Sequence, residues 1–149
     1  MRIAVILVFY LFALPCQAEL NANFKLSSTK SVFVQLNDDA EDGCWTNLRE
    51  TREYAEEKLR SKGANIVKED QYGPNDYMFQ VNVISYRISS GCVAAIRISL
   101  SSASFIKNTS GVDVIHFNSV GTRGFLISGY DKANNSVLNI VKEYIEEAS

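Results

Sequence analysis

Three cysteines, one histidine and a short run of carboxylates are the residues of this 149-residue chain whose chemistry could go beyond packing. The cysteines are Cys16, Cys44 and Cys92, the histidine is His116, and Asp38, Asp39, Glu41 and Asp42 form the acidic run. Nucleophilic catalysis needs a nucleophile beside a base and an orienting group. His116 lies between Ile115 and Phe117 in an alternating stretch, which predicts a strand histidine rather than a catalytic base. Calcium takes several carboxylates on a tight turn at fixed spacing. A loop starting at Asp38 would put Gly43 correctly at the sixth position, but Ala40 then stands at the third and Arg49 at the twelfth. The acidic run therefore reads as a solvated loop ahead of a helix, where negative charge is favourable. Gly121, Thr122, Arg123 and Gly124 lack the spacing and following lysine of a phosphate loop and read as a hairpin turn. A carboxylate pair for glycoside hydrolysis is permitted by 17 acidic residues, but no spacing marks one. The sequence names no catalytic residue, no metal ligand and no cofactor site.

What the cysteines do depends on the compartment, and the first residues address that. Arg2 supplies a positive charge, residues 3–13 are uninterrupted and apolar, and Pro15 ends the run. This layout predicts a secretory signal peptide over residues 1–18, cut between Ala18 and Glu19, with Cys16 and Ala18 as the small residues before the cut. The apolar run falls well short of the roughly twenty residues that span a bilayer, so no transmembrane segment is expected after cleavage. Cys16 occupies the place of an acylated lipoprotein cysteine, but Ala13, Leu14 and Pro15 precede it, and the adjacent proline argues against acylation. Removing the leader leaves Cys44 and Cys92 in an oxidising periplasmic or extracellular space, where a disulfide between them is expected. With 15 basic against 17 acidic residues, the chain has no surplus to neutralise phosphates, so nucleic acid is not an expected partner.

The elements that must position these residues follow from periodicity. Residues 19–29 have no period and read as a flexible leader, which leaves residues 30–149 as one domain. Val32, Val34 and Leu36 alternate in a first strand. Asn47 and Glu50 form a capping pair ahead of a helix whose stripe is Leu48, Thr51, Ala55 and Leu59, and Gly63 stops it. A short strand over residues 64–67 follows. Tyr77, Phe79, Val81 and Val83 then face one way, with Met78, Gln80, Asn82 and Ile84 facing the other. Cys92, Ala94, Ile96, Ile98 and Leu100 line the next strand. Two further strands, 112–118 and 124–130, are expected around a turn at Gly121. Val137, Ile140, Val141 and Tyr144 stripe a closing helix. The order βαβββββα predicts an α+β fold: a mainly antiparallel sheet with both helices packed on one face.

The run from Leu48 through Lys62, Gly63, Ile66 and Val67 to Asp76, Tyr77 and Val81 resembles small exported bacterial envelope domains. Among these are the amino-terminal domain of TolB and CsgG-like or LptE-like accessory proteins, and the similarity spans residues 31–100. The resemblance implies a role in envelope binding or assembly and carries no catalytic residue across.

The leading functional expectation is an exported module that binds another protein. An inhibitor or immunity protein against a secreted enzyme is the alternative, with Asp38, Asp39, Glu41, Asp42 and Trp45 as the expected contact. A small carboxylate-dependent hydrolase is a third. Aromatic rings anchor interfaces, and Trp45, Tyr54, Tyr72, Tyr77 and Tyr86 fall near loops or strand ends. Amino-terminal sequencing of the native protein is expected to read Glu19 first; a protein retaining Met1 would remove the exported reading.

Overall fold

The computed structural model of the protein describes residues 31–147. The expected leader of residues 1–18, its Ala18–Glu19 cut and the expected flexible segment 19–29 lie outside them. Alternation holds along β1 (Ser31–Ala40), which buries Val32 and Val34 on one face. Helix α1 (Leu48–Ser61) buries only Thr51, Ala55 and Leu59, a narrow stripe on an otherwise charged helix. Its end is a glycine stop: Gly63 adopts φ +94°, its N–H bonds Arg60 O at 2.9 Å, and the Ala64 N–H reaches Leu59 O at 3.0 Å. Those two bonds satisfy carbonyls that the helix itself leaves open. At the other end the Asn47 amide donates to the Glu50 carboxylate at 3.1 Å, but Asn47 makes no side-chain bond to a helix backbone N–H, so the two residues pair with each other and the expected capping of the backbone does not form.

The chain then forms β2 (Asn65–Val67), β3 (Tyr77–Ile88), β4 (Gly91–Lys107), β5 (Asp113–Tyr130) and α2 (Asn134–Glu147). The five-stranded sheet has the order β2-β1-β3-β4-β5. β1 runs parallel to both β2 and β3, whereas β3, β4 and β5 are antiparallel. Two parallel neighbours need crossovers. α1 supplies the first. The second is only residues 68–76, and this suffices because β2 is so short: Val67 pairs Phe33 and Tyr77 pairs Val32, at one level of the sheet. That loop lays Tyr72 against Phe33, ring centroids 5.7 Å apart, on the face away from the helices.

The fold class is as expected, α+β with a mostly antiparallel sheet and both helices on one side. Two details differ. β1 continues through the acidic run to Ala40, with Asp38 opposite Val83 and Asp39 opposite Ile84. The two strands expected after β4 are one strand: no turn forms at Gly121, which pairs Leu100 while Ser119 pairs Ser101, leaving Val120 as an extra residue. This is a β-bulge, in which the ladder absorbs one residue and continues.

The helix-side core joins Val32, Val34, Phe79, Val81, Val83, Ala94, Ile96, Ile98 and Leu100 of the sheet to Ala55, Leu59, Val137, Val141 and Tyr144 of the helices. The disulfide Cys44–Cys92 ties the approach to α1 to the start of β4. It closes a separation of 48 residues, which the chain-entropy relation values at about 4 kcal/mol. The Cys44 carbonyl also accepts the Ala133 N–H at 2.7 Å, and Asn134 exchanges hydrogen bonds with Thr46, so the start of α2 is held at the same place.

Tyr144 stands edge-on to Phe79 at 5.8 Å and donates its hydroxyl to Gly121 O at 2.8 Å. Burial pushes its pKa up from 10.0 to about 12, against a smaller lowering by a backbone hydrogen bond and the Arg123 charge. The folded state therefore favours the neutral phenol. Its stabilising contribution is whole below the unfolded value of 10.0 and is lost as pH rises through about 12. Urea denaturation across that window is expected to show falling stability. Tyr144→Phe should cost about 1 kcal/mol at neutral pH and flatten the alkaline decline; an unchanged decline would assign it to other groups.

Candidate functional site

Because both helices lie on one side, side chains of the opposite pleat are left facing outward. Register places them in rows across the sheet. Gln35, Gln80, Ser99 and Thr122 form one row, Asn37, Asn82, Arg97 and Gly124 the next, and Asp39, Ile84, Ala95 and Leu126 a third, followed by Tyr86, Val93 and Ser128. The first rows are polar. Gln80 Nε2 donates to Gln35 Oε1 at 2.8 Å and Asn37 Nδ2 donates to Asn82 Oδ1 at 2.5 Å, tying β1 to β3 through side chains as well as backbone. The later rows are apolar and uncovered: Ile84 is 57% exposed, Tyr86 51% and Leu126 84%.

These rows floor a shallow trough of about 630 Å³ that reaches from Asp39 across Asn82 and Arg97 to Thr122 and Leu126. Arg97 is exposed and, among the described residues, has neither an ion-pair nor a hydrogen-bond partner. The trough can therefore offer one guanidinium, one carboxylate, amides and an apolar rim. It is lined by a single carboxylate, Asp39, and so does not contain the pair that acid–base glycoside chemistry uses. Among the described residues, no group of three or more His, Cys, Asp or Glu side chains could hold a metal ion. Among them, too, no helix is long and apolar enough to cross a membrane.

The residues expected to meet a partner are dispersed. Asp38, Asp39, Glu41 and Asp42 are all exposed at the end of β1 and the turn beyond. The pleat points Asp39 into the trough and turns Asp38, whose carboxylate accepts the Ala40 N–H at 3.0 Å, to the helix side. Asp42 and Gly43 both have positive φ, +54° and +66°, which folds the chain sharply back toward Cys44. Trp45 is 3% exposed and belongs to the core, with no partner for its indole Nε1 among the described residues, so it cannot share a contact with those carboxylates. Tyr86 alone among the five aromatics singled out is more than half exposed on the open face. His116 lies in β5 opposite Ser104, exposed and on the helix side of the sheet.

Leu126 was hidden in the sequence because Phe125 and Ile127 flank it, and an apolar run does not declare which residue faces out. Ile84 was legible, since it shares a parity with Gln80 and Asn82.

Neither a family model nor a curated protein matches the chain. Among solved structures it is similar to a PelC dodecamer from Paraburkholderia phytofirmans, at 13% identity and a TM-score of 0.48, covering 83% of this chain and 91% of that one. A minor lipoprotein from Acinetobacter baumannii is similar at 9% identity and a TM-score of 0.32, covering 79% of this chain and 91% of that one. The rare lipoprotein B from Shewanella oneidensis is similar at 12% identity and a TM-score of 0.28, with 78% and 87% covered.

Proposed function

We propose that this is an exported module that binds protein through the helix-free face of its sheet. The observation that carries the reading is Leu126, 84% exposed beside Ile84 and Tyr86 on a part of the sheet that none of the described elements covers. A row of large apolar side chains on one flat face, bordered by amides and the Arg97 guanidinium, has the make-up of a contact surface with a polar surround. The signal-like leader and the Cys44–Cys92 bond both support an oxidising compartment outside the cytosol. In the alternative reading, as an inhibitor of a secreted enzyme, the exposed Asp38, Asp39, Glu41 and Asp42 would make the contact instead.

A photoreactive residue placed at Leu126 and, separately, at Glu41 distinguishes the two in living cells of the native host. Both sites are exposed, so each replacement should alter stability by no more than about 0.5 kcal/mol. Cross-linking to protein from position 126 is expected. Cross-linking from position 41 alone would move the contact to the acidic turn, and no cross-link from either would refute a protein-binding role.

A further inference from the structure

The open face does not end with the trough. β3 stops at Tyr77, paired with Ser102, while β4 and β5 continue as a two-stranded arm to the turn after Lys107. The turn is well formed, with the Asn108 side-chain oxygen accepting the Ser110 and Val112 N–H groups, both at 2.9 Å. Ala103 pairs Phe117, Phe105 pairs Ile115, and Lys107 bridges Asp113 at 3.1 Å. Through β4 these odd-numbered residues share the pleat of Ala95, Arg97 and Ser99, so the arm presents Phe105, Ile115 and Phe117 on the same side as the trough. They are 60%, 56% and 58% exposed. At the arm's base the Asn75 N–H bonds Ala103 O at 2.7 Å, and Tyr72, Gly73 and Pro74 share a small pocket with Phe105 and Ile115, which leaves most of those two side chains uncovered. A two-stranded ribbon is marginal alone and needs a fuller second layer against its apolar face.

Read along β4, this one face is apolar at Phe105 and Ala103, polar at Ser101, Ser99 and Arg97, and apolar again at Ala95 and Val93 with Ile84, Tyr86 and Leu126 alongside. Such an order is its own complement. Two copies placed face to face about a two-fold axis across the Ser99 row set each arm on the other's apolar rows, Phe117 over Leu126 and Phe105 over Val93 beside Tyr86, with the Gln80 and Thr122 side chains of that row meeting their own copies between. A two-fold contact requires self-complementarity of this kind. The row carrying Arg97 then meets the partner's Ser101 row, so no like charges are brought together.

We propose that the partner at this face is a second copy of the same chain, each arm lying across the other copy's sheet. The inference rests on the reading of the open face as a protein contact. The six side chains hold on the order of 600 Å² of exposed apolar surface in each copy, and two copies together reach the range of stable interfaces, above about 1,000 Å².

Sedimentation of the mature protein tests this. The expected result is a dimer at micromolar concentration, and Phe117→Lys or Leu126→Lys alone should weaken it by about thirtyfold or more. Combining Phe117→Glu with Leu126→Lys in one chain places opposite charges at each arm contact and should restore the dimer. Near-ultraviolet circular dichroism reports whether each variant keeps its fold. A wild-type monomer at about 100 µM overturns the proposal, well above the dissociation constants of ordinary specific complexes. So does a dimer indifferent to Phe117→Lys. A monomer that still cross-links to another protein from position 126 would overturn the second copy as occupant while leaving the protein-binding reading intact.

Discussion

One sulfur–sulfur bond and one backbone hydrogen bond meet at Cys44, and the layering of the molecule depends on that meeting. The bond to Cys92 fixes where α1 begins relative to β4, and the bond from Ala133 N–H fixes where α2 begins relative to both. α1 has only a narrow buried stripe, Thr51, Ala55 and Leu59, whereas α2 buries the fuller set Val137, Ile140, Val141, Tyr144 and Ile145. So thin a stripe would by itself leave α1 free to rotate on the sheet. Anchoring at its start substitutes for the width it lacks, and Arg123 with Glu147 holds the far end of α2 to β5.

The same anchoring commits both helices to one side. A sheet with one covered face normally alternates apolar and polar residues cleanly, and β3 does so from Phe79 through Asn82. The pattern then breaks, because Ile84 and Tyr86 continue the outward series with large apolar groups. On β5 the break is sharper still, at Leu126. The uncovered face is thus two surfaces in one, an amide- and hydroxyl-rich band and apolar patches at its ends. Its chemistry comes from side chains that the core has no use for.

Much of this was legible in the sequence wherever one physical signal acted alone. The alternation of Val32, Val34 and Leu36, the glycine stop at Gly63 and the facing sets on β3 and β4 all followed from local rules, and the Cys44–Cys92 pairing followed from a count of the cysteines beyond the expected leader. The acidic run misled because solvated charges at Asp38 and Asp39 are compatible with a strand end, where backbone pairing to β3 costs the side chains nothing. Trp45 misled for another reason: a tryptophan close to a loop reads as exposed, but the half-turn at Asp42 and Gly43 carries it inward beside the disulfide. The open trough was the least legible part. It exists only through register between strands 40 and more residues apart, as with Gln35 and Gln80, which no local pattern encodes.

The extra residue at Val120 has an effect out of proportion to its size. Two residues of β5 oppose one of β4 there, so the ladder steps from Leu100–Gly121 to Ser101–Ser119. The same chain paired without that kink would set His116 across from Phe105 and turn Ile115 and Phe117 toward the helix side, beside Ile106. The bulge therefore decides which surface of the projecting ribbon is sticky, whereas loss of the Val120 codon would straighten β5 and keep Phe105 opposite Ile115, so the arm's character would survive a shortening that merely smooths the strand.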